Sequence, residues 1–413
     1  MKTVGIIAEF NPFHCGHEYI INEAKRVSGA DRCVIAMSGD FVQRGTPAVC
    51  DKSLRARMAL MSGADAVFEI PVPYATASAE IFAEAGVKLF NSLGNVDFIA
   101  FGCECPDLAV LLKIADILNN ESELFKSVLQ EKLKEGCSFP AARDAAFEAE
   151  TGDPSLTAIL RSPNNILAIE YCRAILKLSP EGKENLAIKP LAIKRTGSGY
   201  HDNTIVRHMQ SSATALRAAL EDPEGDTGEL IGQVPDEVLR LIDENYRRTL
   251  PITADDLSPM LYLRLNDPAI TDHTAFADVS RDLANALAKY KNEPCTFTEL
   301  ATRLKSKNNN HTAVCRALLH LTLGIGPEHI TSLKASDTLP AIRLLGLRRS
   351  SSELLRPVSD SEHTELITKP ADADRTQPLT AAGLHASGIY RQLIRARFGT
   401  DPGSELTCSP VIL

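Results

Sequence analysis

Apolar and polar positions alternate in blocks along the first hundred residues. Short apolar runs fall at 3–10 (TVGIIAEF), 32–37 (RCVIAM), 65–71 (DAVFEIP) and 96–102 (VDFIAFG). Between them apolar residues recur at helical spacing. After His17 they fall at Ile20, Ile21, Ala24 and Val27, and similar stretches cover 52–64, 76–91 and 107–118. A run that is apolar throughout suits a strand buried on both faces, and strands alternating with helices predict a parallel sheet. The expected fold class is therefore α/β. Such a sheet places ligands beyond the carboxyl ends of its strands. Each run here ends in polar or glycine-rich sequence: NPFHCGH, SGDFVQRG, PVPY and GCECPD.

The pattern then changes. Residues 107–177 read as mostly helical, an insertion before a further strand at 186–195. A polar loop, 196–203, leads to a helix over 211–222, which Ser211 or Ser212 can cap. The acidic, glycine-containing stretch 221–230 reads as a linker. Beyond 234 amphipathic helices dominate. This divides the chain into a catalytic domain, 1–222, and a mainly α-helical C-terminal domain, 223–413. A length of 413 residues agrees with two or three domains.

Composition narrows the class. Hydrophobic residues make up 44% and charged residues 23%, as expected of a soluble globular protein. No apolar run reaches the roughly 18–20 residues that span a bilayer, so no membrane association is expected. The N-terminal apolar stretch reads as a first strand, not a signal peptide. The ten cysteines are scattered, several in apolar segments, which suits free thiols in a reducing cytoplasm. Cys103 and Cys105 form a C-x-C pair without the second pair a zinc site uses, so no metal site is expected. A net charge of −9 excludes a protein that coats nucleic acid through bulk charge.

The candidate chemistry lies after the first strand, at His14-Cys15-Gly16-His17. A helix start offers unpaired amides and partial positive charge, which hold phosphate. Gly16 permits close backbone approach. His14 and His17 are three residues apart, so one helical turn puts both imidazoles on one side. From there they can stabilise charge developing on a phosphoryl group. A second helix start carries Ser212, Thr214 and Arg217, whose hydroxyls and guanidinium suit the β- and γ-phosphates. The expected catalytic residues are His14, His17 and Arg217, with Ser212 and Thr214 binding nucleotide.

At these two motifs the sequence resembles the HxGH nucleotidyltransferase superfamily, which implies a Rossmann-like domain. A closer resemblance follows from VGIIAEFNPFHCGH, SGDFVQRGTPA, FGCE, RSPNNILAIEY, IKRTGSGYHD and SATALR, in that order. Together these resemble the bacterial tRNA(Met) cytidine acetate ligase family. The likeness covers about residues 1–220, and extends more weakly through IRLLGL, HTELITKP and DADRT. The family commonly has Asn where this chain has Cys15, a change that suggests sensitivity to oxidation.

The resemblance implies an enzyme that uses ATP, with Mg2+, to activate acetate as acetyl-adenylate. It then implies acetylation of the wobble cytidine of elongator tRNA(Met). The implied ATP site begins with Ile7, Ala8, Glu9, Phe10, Asn11, Pro12 and Phe13. It continues through His14, Cys15, Gly16, His17, Glu18, Tyr19 and Ile20. Gly102, one of Asn164 and Asn165, and Arg195 complete it, with Lys194 a second cation. Asp40 is a candidate for metal or water, and Gln43 and Arg44 for acetate or the acceptor base. Candidate tRNA contacts are Arg247 and Arg248; Arg303, Lys305 and Lys307 with Asn308–Asn310; Arg343, Arg348 and Arg349; and Arg391, Arg395 and Arg397. With no tryptophan and 5% aromatic residues, shape and phosphate contacts are expected over base stacking. Two other readings of the residues are a small-molecule adenylyltransferase and a nucleotide-binding regulator without turnover.

Overall fold

The computed structural model describes residues 1–179, 186–195, 212–306 and 309–413. The loop 196–203, the alternative cap Ser211, and Lys307 and Asn308 lie outside the described residues.

The expected strands form as β1 (Thr3–Ala8), β2 (Arg32–Ser38), β5 (Ala66–Ile70), β6 (Phe98–Cys103) and β7 (Lys189–Lys194). Between β2 and β5 lies a small antiparallel hairpin, β3 (Phe41–Val42) with β4 (Thr46–Pro47). Three strands come from the far end of the chain: β8 (Ala341–Leu347), β9 (Glu365–Ile367) and β10 (Val411–Ile412). The main sheet runs β10-β8-β5-β2-β1-β6-β7, with β9 also paired to β8. Among the described residues, only the β5–β8 pairing in it is antiparallel. The fold is thus α/β with a mostly parallel sheet, as the alternation predicts.

Both sheet faces are covered, which is why the runs are apolar almost throughout, with Glu69 of β5 a buried exception. Along β1, Val4 and Ile6 face one layer and Ile7 the other. Helices α1 (Cys15–Ser28) and α2 (Lys52–Met61) lie over the first face, with α5 (Ala213–Glu221). Helices α3 (Ala79–Leu93) and α4 (Pro163–Lys177) cover the second. A third apolar core joins Phe297, Leu318 and Tyr390 among the C-terminal helices, including α6 (His311–Leu323) and α7 (Pro378–Phe398).

The sequence reading places no strand beyond 195, whereas 341–412 returns three. IRLLGL is a single short apolar run among helices, and its partner in the sheet is almost 280 residues upstream. Local periodicity cannot signal such a pairing. A buried ionic cluster reinforces the join. Lys52 Nζ lies 2.9 Å from Glu69 Oε1, 2.8 Å from Glu405 Oε1 and 3.5 Å from Asp40 Oδ2. Arg343 meets the same Glu405 oxygen as Lys52, and Arg391 meets the other. Burial opposes the Lys52 charge, but Glu69 and Asp40 outweigh it and raise its pKa.

The chain runs from β1 to β2 and β5 on one side, then returns to β6 and β7 on the other. β1 is therefore the switch point, where such sheets open a crevice beyond their carboxyl ends.

Candidate active site

The crevice is an open cavity beyond β1 and β6, about 1200 Å³ when the solvent-open space it holds is included. Its centre is the turn from β1 into α1. His14 caps α1 from an extended conformation (φ −145°, ψ 171°). Its Nδ1 accepts the Gly16 N–H at 3.1 Å. The His14 N–H in turn donates to His17 Nδ1 at 3.2 Å. The two rings stack with centroids 3.7 Å apart. Phe10, in a left-handed conformation (φ 49°), packs its ring 4.8 Å from His17.

Protonation follows from this packing. Burial, then the charges of Arg195 and Arg217, lowers the His14 pKa to about 3. Burial, His14 and Arg195 hold His17 well below its usual value. Both rings are neutral at physiological pH. Because each Nδ1 accepts a hydrogen bond, each Nε2 carries the proton and is a donor.

The second motif closes on the first. Arg217 Nη1 donates to Asn11 O at 2.6 Å and Nη2 to Thr214 Oγ1 at 3.1 Å. Ser212 caps α5 through Ala215 N. Asn11 Oδ1 accepts from Val49 N at 2.7 Å, which fixes the turn from the other side.

Most of the expected nucleotide residues meet here. Ile7, Ala8, Glu9, Phe10, Asn11 and Ile20 line the cavity with His14 and His17. So do Gly102, Asn164, Arg195, Ser212, Thr214 and Arg217, along with Gln43 and Arg44. A Cβ on Gly102 would stand 3.1 Å from Arg195 Cγ and 3.4 Å from Ile20, so a side chain here would push Arg195 aside.

Other expected residues do not line it. Asn165 is buried, and its Oδ1 accepts from the amides of Glu104 and Cys105, both at 3.0 Å. It shapes the loop after β6, and Asn164 is the one at the cavity. Gly16 directs its N–H at His14 Nδ1 rather than into the crevice. Phe13 belongs to the core. Pro12, Glu18 and Tyr19 are not among the lining residues, and Lys194 lies outside too. Cys15 turns its thiol toward Gly232 O, and burial and Glu18 raise its pKa. A raised pKa reduces the thiolate and with it the oxidation sensitivity expected above. Asp40 is buried, accepting from Lys52 N, and serves the ionic cluster rather than metal or water. Among the described residues no group of three or more His, Cys, Asp or Glu is placed to hold a metal.

Sequence reasoning missed Arg55. It is fully buried on α2, and its guanidinium donates to the carbonyls of Glu9, Ser38, Gly39 and Cys50. It thereby ties the ends of β1 and β2 together. The available signal was an arginine on the same helix face as Ala59, in a stretch that also carries Arg57 and so does not single it out. Glu104 was also missed. It holds Asn164 Nδ2 at 2.6 Å and Asn165 N at 3.0 Å, at the start of α4.

Several basic candidates are engaged within the fold. Arg343 and Arg391 bind Glu405, and Arg348 donates to the carbonyls of Leu60 and Ala64. Arg247 donates to Pro223 and Gly225 carbonyls. Arg303, Arg395 and Arg397 pair with Glu293, Asp401 and Asp256. Lys305, Arg349 and Arg395 are exposed.

The fold and the paired-histidine turn define a nucleotidyltransferase, and the HIGH Nucleotidyl Transferase family model matches residues 1–402. A tRNA(Met) cytidine acetate ligase of Clostridium perfringens is 33% identical over 401 residues, covering 94% of this chain and 95% of the relative. One from Caldanaerobacter subterraneus is 36% identical over 372 residues, covering 90% and 89%. The chain belongs to the tRNA(Met) cytidine acetate ligase family. Among solved structures, Thermotoga maritima TmcAL in its apo form superposes with a TM-score of 0.90 at 25% identity, covering 100% of both chains. A second form of that protein, bound with alpha-thio ATP, gives 0.85, again at 25% identity and 100% coverage of both. No described helix is long and apolar enough to cross a membrane.

Proposed function

We propose that this protein is an ATP-dependent ligase that activates acetate and acetylates the wobble cytidine of elongator tRNA(Met), giving N4-acetylcytidine. The observation that carries this reading is the neutral, Nε2-protonated imidazole pair at the mouth of β1, flanked by Arg195 and Arg217.

In the first step an acetate oxygen attacks the α-phosphorus of ATP. The bond to the β-phosphate bridging oxygen breaks, and pyrophosphate leaves with the electron pair. Acetate is already a nucleophile, so no base is needed. The two Nε2–H groups donate to charge building on the α-phosphoryl oxygens. Ser212, Thr214 and Arg217 hold the departing phosphates, and Arg195 adds positive charge. In the second step the cytidine amine attacks the acetyl carbon. AMP leaves on its phosphate oxygen, and the amine proton passes to it or to water. A Mg2+ ion accompanying ATP would draw charge from the phosphates. Glu9 is the carboxylate lining the cavity and suits the metal's protein side. The mainly helical part, residues 223–413, which also returns β8–β10 to the sheet, offers the tRNA surface, while 1–222 carry the nucleotide chemistry. The cell compartment of this reaction is the cytoplasm.

The test is incubation with ATP, labelled acetate and tRNA(Met). Label in the wobble cytidine with stoichiometric AMP supports the ligase. AMP joined to a small acceptor, or ATP binding without turnover, overturns it.

A further inference from the structure

The acetate site is the part of the reaction that the two nucleotide motifs leave open. In-line displacement brings the carboxylate to phosphorus from the side opposite the leaving pyrophosphate. Topology separates those sides. Gly102 and Arg195 reach the cavity from β6 and the end of β7, on one side of β1. On the other side, from the connection between β2 and β5, come Gln43 and Arg44.

These two residues sit on the tip of the β3–β4 hairpin, and the tip is pinned in three directions. Gln43 N donates to Glu9 Oε1 at 2.8 Å, which ties it to the end of β1. Gln43 Nε2 donates to Ala77 O at 3.2 Å, just before α3. Gly45, at φ 78°, lies so close to α6 that a Cβ would overlap the backbone N of Arg316. Below the hairpin, Phe41 is buried in the C-terminal helical core, 6.0 Å ring to ring from Tyr390. A loop tip fixed this thoroughly holds the Arg44 backbone in place before substrate arrives.

The first turn of α3 adds Phe82, which lines the same cavity and is 2% exposed. Ile7, Phe101 and Tyr171 continue this apolar wall, with the last two rings 5.6 Å apart. A guanidinium beside a tight apolar wall matches a short carboxylate, charged at one end and methyl at the other.

We propose that Arg44 anchors the carboxylate of acetate and that Phe82 is the wall limiting its acyl chain. This rests on the ligase reading above. Gln43 and Gly45 are positioning residues for the Arg44 tip.

The test is acetate-dependent exchange of labelled pyrophosphate into ATP, without tRNA, on R44Q, R44K and F82V. ATP affinity is measured separately by equilibrium binding without acetate. R44Q is expected to raise the acetate KM by about 10–100-fold, the scale of a lost charged hydrogen bond. Its ATP affinity stays within about twofold, and R44K restores part of the loss. F82V is expected to raise the propionate-to-acetate kcat/KM ratio about tenfold. An unchanged acetate KM in R44Q, or a parallel loss of ATP affinity, overturns the assignment while leaving the ligase intact. No acetate-dependent exchange in the parent protein overturns both.

Discussion

The imidazole of His14 stacks on that of His17, ring centroids 3.7 Å apart, and each ring is fixed by a backbone amide on its Nδ1. The motif's histidines thus cap their own helix and aim their second nitrogens outward. This separates capping from catalysis. Asparagine is a good N-cap but has no donor at the Nε2 position. H14N is expected to melt within a few degrees of the parent, yet to lose about 10²–10³ in kcat for acetyl-adenylate formation. Thermal melts and pyrophosphate exchange check the two halves. A variant keeping near-parental turnover removes His14 from the mechanism.

Acidification should act on stability through the same pair. The folded His14 pKa is depressed to about 3 from 6.5, by burial and then by Arg195 and Arg217. Above pH 6.5 the ring is neutral in folded and unfolded chains alike, so it adds no pH dependence. Between 6.5 and 3 the unfolded chain takes up a proton that the folded chain refuses. Stability therefore falls as pH falls through that window, by up to about 1.4 kcal/mol per pH unit. H14N is expected to show a shallower loss of urea midpoint from pH 6.5 to 4.5 than the parent. Parallel curves would contradict the buried, neutral assignment. Catalysis should show no histidine ionisation near pH 6–7.

Asn164 and Asn165 stand together but do different work. Asn165 Oδ1 takes two backbone amides, so N165A strands both and is expected to cost about 1–3 kcal/mol of stability. Asn164 faces the cavity, so N164A is expected to weaken ATP binding several-fold with little change in melting temperature. Denaturation and equilibrium binding of ATP separate the two. Swapped outcomes would reverse the assignment.

The parts that were legible in sequence are those whose information is local. Continuous apolar runs such as RCVIAM announce strands covered on both faces, and the turn after β1 combines its chemistry within seven residues. Asn164 against Asn165 was not decidable, because adjacent positions at a helix start differ only in which way each points. Arg55 was hidden because its partners are backbone carbonyls, which no sequence pattern marks. β8 was hidden for a different reason: its partner strand is brought to it by the whole intervening chain. Gln43 and Arg44 were recognised as candidates, but their placement depends on Gly45 meeting α6, a contact between residues about 270 positions apart.

Basic residues that look alike in sequence should separate by experiment. Arg343 and Arg391 lie against Glu405, which also binds the buried Lys52. Burial would raise the Glu405 pKa, yet Lys52 and Arg343 outweigh this and hold it below the usual carboxylate range. Removing one member of such a buried cluster leaves an uncompensated charge. K52M and R343A are each expected to lose about 3–5 kcal/mol of stability, read as a lowered urea midpoint. Their effect on tRNA affinity should follow the fraction folded. Arg395 instead lies exposed on α7, paired with Asp401 in water, where an ion pair is worth little. R395A is expected to leave the urea midpoint unchanged. Together with K305A it should weaken tRNA binding several-fold and flatten its salt dependence, because each lost phosphate contact releases fewer counterions. Filter binding at two salt concentrations decides this. If the exposed pair proves silent while folded R343A loses tRNA affinity, the RNA lies along β8 rather than along α7.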